Sequence, residues 1–197
     1  MEHSPSICTS PQLRRYANEQ VARAELERLL SPQARLIREV HLQHPHQEAP
    51  LRIDFVALIR DFRPGHDYSL LGIETKCAFE HFNQWSSGLK QCVDYRHAVI
   101  ADRRAQRAQG QRLEYVFLWP DIRDLGDLDT HRWERPIWAG GVERFVGQFN
   151  VGTVRRLRDD AGGDFVRFYC SADPLWDTRW GAWRSSDWGS ARRAGAR

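Results

Sequence analysis

Asp54, Glu74 and Lys76 are the residues of this chain whose types and spacing best suit chemistry. Asp54 lies inside the apolar run 51–59, which reads as a strand. Glu74-Thr75-Lys76 closes a second run, 70–76, reached through the turn-forming segment Arg63-Pro64-Gly65-His66-Asp67. The two-residue pleat predicts Glu74 and Lys76 on one face, and a long hairpin brings Asp54 beside them. Strict alternation in the first strand would put Ile53, Phe55, Ala57 and Ile59 on one face and Asp54, Val56 and Leu58 on the other. A carboxylate within an apolar strand is costly unless it is partnered. Two on one face repel, one or both should titrate high, and together they ask for a cation. Oxygen donors without a thiolate suit a hard ion, Mg²⁺ or Mn²⁺. A lysine next to that ion can orient a water or stabilise charge on a phosphate. These parts describe phosphodiester hydrolysis. The plainer reading is an edge salt bridge of Glu74 with Lys76 or Arg52.

Composition sharpens the choice. Of 29 Lys and Arg residues only Lys76 and Lys90 are lysines. A lysine two places after a given glutamate is then about a one in a hundred arrangement, which favours a selected role. The net charge of +3 resides in residues 184–197, where Arg184, Arg192, Arg193 and Arg197 outnumber Asp187. The rest of the chain is neutral, so any nucleic-acid site must be a local groove rather than a general basic coat. Eight Trp, nine Phe and five Tyr exclude global disorder, and the length of 197 residues suits one domain. No apolar run is long enough for a transmembrane helix, and the first residues lack the pattern of a signal peptide. Four scattered cysteines, Cys8, Cys77, Cys92 and Cys170, form no disulfide framework. The expected location is cytoplasmic, in a reducing compartment, with no membrane partner.

The elements that must position the three residues follow from periodicity. A helix is expected from Ser10-Pro11 to about Leu30, then strands over 36–42, 51–59 and 70–76. A helix from about Ser86 to Gln109, stopped by Gly110, precedes a short apolar strand over 115–119. The order is α-β-β-β-α-β. Beyond it, a short helix over 141–149 and a hairpin of 153–158 with 165–170 are expected. The expected organisation is a flexible N-terminal arm (1–11), a core (12–135), a C-terminal β-hairpin/helix appendage packed on that core (136–184) and a basic disordered tail (185–197).

Ile53-Asp54, followed some 20 residues on by Glu74-Thr75-Lys76, resembles the PD-(D/E)XK nuclease superfamily. The following helix carries Gln91-Cys92-Val93-Asp94-Tyr95, which is similar to the QxxxY motif of several of its branches. The resemblance covers roughly residues 12–119, with Ile53 standing where proline is usual. It implies an α/β restriction-endonuclease-like fold, a central mixed sheet flanked by helices. It implies Asp54 and Glu74 as metal ligands, aided by the Thr75 carbonyl. It makes Lys76 catalytic, with Gln91 and Tyr95 lining the substrate side. A further glutamate on the first helix is common in the superfamily, and Glu19 and Glu25 compete for that place. Arg52 and Lys90, the basic residues flanking these motifs, are assigned to substrate binding.

Other groupings have plainer readings. His41, His44 and His46 with Glu39 and Glu48 could form a transition-metal site, but a polar strand end accounts for them. Glu39 is a candidate extra acid. Trp176, Trp180 and Trp183 fall at helical spacing with Trp188 beyond, and packing on the core explains them better than base stacking. Arg103, Arg104, Arg107 and Arg112, and Arg155, Arg156, Arg158 and Arg167, are candidate phosphate contacts or solvated faces. The expected activity is a Mg²⁺- or Mn²⁺-dependent nuclease acting on DNA, with RNA the alternative nucleic acid. Double-strand cleavage would call for a homodimer or a partner subunit. The rival is a catalytically idle module of the same fold that binds nucleic acid or a protein partner.

Overall fold

The computed structural model describes residues 16–60, 67–76, 82–121, 134–171 and 173–179. The arm 1–11, the tail 185–197, Cys8, Cys77, Trp180, Trp183 and Trp188 lie outside the described residues, as does the expected helix start at Ser10-Pro11. The chain order is α1 (Glu19–Leu30), β1 (Ala34–Gln43), β2 (Leu51–Arg60), β3 (Tyr68–Thr75), α2 (Phe82–His97), β4 (Val99–Ile100), β5 (Tyr115–Trp119), α3 (Glu134–Gly147), β6 (Val151–Arg158), β7 (Asp164–Cys170) and β8 (Asp173–Asp177).

Among the described residues the strands form one eight-stranded sheet in the order β4-β1-β2-β3-β5-β6-β7-β8. β3, β5 and β6 run parallel to their neighbours within that trio, and the other pairs are antiparallel. The protein is therefore a mixed α/β fold. The hairpin expected near the C-terminus is β6–β7, and it continues the sheet rather than standing apart from it.

Helices cover both faces. α1 begins at Asn18, whose side chain accepts from the Val21 amide at 2.9 Å. Its buried stripe Ala22, Leu26, Leu29 and Leu30 packs with Phe55, Ile73, Phe117 and Trp119 on one face. On the other face, Trp85, Leu89, Cys92 and Tyr95 of α2 and Val146 of α3 pack with Val56, Val116 and Leu118. The strands of the middle of the sheet are buried on both faces, which is why they read as continuous apolar runs.

Three expectations change. The helix expected over 86–109 stops at His97, and Val99-Ile100 pair with Gln43 and Leu42 at the end of β1. These β-branched residues satisfy an open strand edge better than another helical turn. Trp176 lies in β8, buried with its ring 5.3 Å from that of Phe168, so the helical tryptophan spacing does not hold there. The alternation of β2 also breaks at Asp54. Leu51 and Ile53 pack on the α2 face with Val56 and Leu58, while Phe55, Ala57 and Ile59 pack on the α1 face. β1 changes faces in step: Ala34 and Leu36 pack on the α1 face, Val40 and Leu42 on the α2 face. The rung between Arg38↔Phe55 and Val40↔Ile53, Glu39 with Asp54, is missing from the ladder. Glu39 sits at φ 51°, a left-handed backbone that costs a non-glycine residue ~1–3 kcal/mol.

Candidate active site

The missing rung is where the chemistry-bearing residues meet. Asp54, 8% exposed, accepts from the Thr75 amide at 2.8 Å through Oδ2. Its Oδ1 accepts from the Arg23 guanidinium of α1. Glu74, 4% exposed, accepts from the Lys76 ammonium at 2.6 Å through Oε1. Its Oε2 is buried and makes no hydrogen bond. The hairpin thus brings together Asp54, Glu74, Thr75 and Lys76.

Two tethers hold this arrangement. The Lys76 amide donates to the Trp119 carbonyl at 2.8 Å, so β5 fixes the end of β3. The Trp119 indole donates to the Ala22 carbonyl at 3.1 Å, which pins α1 over the site next to Arg23. Glu39 is held from the opposite side. The Arg104 guanidinium donates to its carbonyl at 2.6 Å and to Asp102 at 2.7 Å. Arg104 in turn holds the Asp102 carboxyl well below the usual carboxylate range.

The electrostatics are those of a crowded, dry site. Burial pushes the Glu74 carboxyl up, and the neighbouring Asp54 charge pushes it further, against the opposing pull of Lys76. Burial works against the Lys76 charge, but the Glu74 carboxylate, Glu19 and Asp54 together outweigh it, so the ammonium is held above its ordinary pKa. Burial, then Glu74, raises the Tyr95 phenol, which stays protonated.

The remaining expected site residues separate. Of the two α1 glutamates, Glu19 faces the site: it lies 3.7 Å from Arg23 and its charge acts on Lys76. Glu25 points elsewhere, paired at 2.9 Å with both Arg28 and Arg156. Gln91 donates to the Tyr95 hydroxyl at 2.5 Å, and that hydroxyl donates to the Arg52 carbonyl at 2.9 Å. Tyr95 is buried in the α2-face core, where it positions α2 against β2, and it lies close enough to the Glu74 carboxylate for each to act on the other's pKa. The Arg52 and Lys90 side chains are exposed. His44 and His46 stack edge to face 5.8 Å apart.

Sequence reasoning missed Arg23; it offered Glu39 as a candidate extra acid, and the structure places Glu39 3.7 Å from Arg23 at the rim of the site. The Glu19–Arg23 spacing of four was visible as one helix face. That the face points at Asp54 follows only from the fold.

The donor set suits a hard divalent ion. Two carboxylates are what Mg²⁺ commonly takes from a protein, with water filling the other positions. The buried, unpartnered Glu74 Oε2 beside Asp54 is an oxygen that such an ion would satisfy. Among the described residues no group of three or more His, Cys, Asp and Glu is placed to enclose a metal by itself. No family model, no curated protein and no solved structure matches the chain.

Proposed function

We propose that this protein is a Mg²⁺- or Mn²⁺-dependent nuclease that hydrolyses phosphodiester bonds in DNA, on a restriction-endonuclease-like core formed by α1, β1–β3, α2 and β5. The observation that carries the reading is the buried Asp54–Glu74 pair with an unpartnered Glu74 oxygen and Lys76 against it. The two buried carboxylates each meet a base, Arg23 and Lys76, and buried ion pairs add little net stability to a fold, which favours a role beyond structure. The antiparallel β1–β2–β3 unit followed by parallel β5 supports the fold assignment.

Asp54 and Glu74 would hold the ion, with the Thr75 carbonyl as a further oxygen. The ion supplies Lewis acidity toward the phosphate and a water of lowered pKa. In the metal-free protein Glu74 holds Lys76 as an ammonium; beside the ion its part would be a positive charge placed toward the reacting phosphate and water. Tyr95 and Gln91 keep β2 and α2 in register, so that Asp54 stays opposite Glu74. Glu19 adds negative charge at the rim.

One observation favours the idle binding module instead: the Arg23 guanidinium already neutralises Asp54. Incubation with supercoiled plasmid, linear duplex and single-stranded DNA, in Mg²⁺, Mn²⁺ or EDTA, separates the two. Metal-dependent cleavage of at least one substrate is expected. Binding without cleavage in every metal would replace the nuclease reading with the module.

A further inference from the structure

Arg23 is the one base that α1 sends to Asp54, and it is surrounded by acids. Its Nη2 binds Asp54 Oδ1 and lies 3.7 Å from Glu19, and its Nη1 lies 3.7 Å from Glu39. Its Nε is buried without a partner, so the guanidinium does not use all of its donors in this pose. Asp54 is nearly enclosed, with its side chain 9% exposed, whereas Glu19 and Glu39 stand at the rim with 44% and 50% exposed. A guanidinium released from Asp54 therefore has two carboxylates within reach, both in wetter surroundings.

The charges point the same way. The cluster holds Asp54, Glu74, Glu19 and Glu39 against Arg23 and Lys76, an excess of two negative charges. The inner pair of acids is already balanced by the inner pair of bases. The excess lies at the rim, where Glu19 and Glu39 are. One divalent cation on Asp54 and Glu74 would neutralise the whole cluster, provided Arg23 moves outward to the rim acids.

We propose that Arg23 is an exchangeable counter-ion of this site: it occupies Asp54 in the metal-free protein and hands it to a divalent cation by moving onto Glu19 and Glu39. This rests on the nuclease reading only in taking Asp54 and Glu74 as the cation's ligands. Its consequence is that metal binding competes with an ion pair inside the protein, so the affinity for the ion is set by α1. Glu19 acts here as a positioning residue through Arg23, with no contact to the ion required.

The test is titration of Mn²⁺ alone into the metal-free full chain by calorimetry, without DNA. Arg23→Met removes the charge and keeps much of the stem. It should bind Mn²⁺ about tenfold more tightly than wild type, within the ~5–150-fold range common for coupled binding. Glu19→Gln should weaken Mn²⁺ binding in the wild-type background and clearly less in the Arg23→Met background, where only its rim charge is left to act; an equal loss in both backgrounds overturns the proposal. Unchanged or weaker binding by Arg23→Met overturns the proposal while leaving the metal site standing. If Arg23→Met does not fold, Glu19→Gln alone decides: affinity equal to wild type overturns the proposal. Failure of both wild type and Arg23→Met to bind Mn²⁺ overturns the proposal together with the metal-site reading beneath it.

Discussion

Burial and the Asp54 charge raise the Glu74 carboxyl above its usual range, and this has a sign in the stability of the fold. A carboxyl whose pKa is higher folded than unfolded favours the folded state below its unfolded pKa, near 4.3. That contribution is lost as pH rises through the folded value. Ionising Glu74 is therefore a cost to the fold that the site tolerates. Glu74→Gln removes the titration. Thermal melts of metal-free protein from about pH 4 to about pH 7 should show the variant gaining stability relative to wild type as pH rises. Parallel curves would mean that Glu74 is not held high. The same variant should lose Mn²⁺ binding, so stability and function pull apart at this position. Much of the residue scale was legible in advance, because an acid inside an apolar strand and a rare lysine after a glutamate are visible in one dimension. Arg23 was not, since arginine is so common in this chain that nothing in its type marks one out.

At the scale of elements, the presentation of Asp54 depends on the joint change of face in β1 and β2. In β2 the sequence hides it: with both faces buried, apolar residues stand on either side of the break, and no polar alternation reports the switch. Glu39, at φ 51°, and the Arg104–Asp102 pair on its carbonyl are the local cause. The end of α2 at His97 was likewise hidden, because the strand edge that captures Val99-Ile100 is supplied by β1, more than fifty residues earlier. Close approach of elements sets another constraint. A Cβ on Gly152 would fall on the Tyr169 carbonyl oxygen, backbone that cannot rotate away. A Cβ on Gly72 would meet the side-chain ends of Leu113 and Ile53 at 2.6 and 2.7 Å, atoms that can shift. Gly152→Ala should cost ~1–3 kcal/mol or more in urea unfolding, and Gly72→Ala less. The reverse order would mean that β6 and β7 are not paired in this register.

On the scale of the whole molecule, one sheet carries everything from the edge at β4 to β8, and the site lies where its antiparallel part, β1–β3, meets its parallel part, β3–β5–β6. No helix among the described residues is long and apolar enough to cross a membrane. The order α1-β1-β2-β3-α2 and the later β5 were legible because each element has its own period and punctuation, whereas the short β4 between α2 and β5 was not. The continuation of the sheet into β6–β8 was not, since a parallel β5–β6 pairing joins strands more than thirty residues apart and leaves no local signal.

The central claim is that Lys76 is a catalytic ammonium beside a carboxylate-bound cation, and single-turnover cleavage of labelled DNA with Mg²⁺ or Mn²⁺ tests it most directly. Lys76→Ala should still bind Mn²⁺ yet cut ~10²–10³-fold more slowly, the usual effect of losing one positioned electrostatic group. Lys76→Arg should not restore the rate, because a planar guanidinium cannot take the place of a point charge. Lys90→Ala, on the exposed side of α2, should lower it only mildly. Cleavage by Lys76→Ala at the wild-type rate would contradict the account.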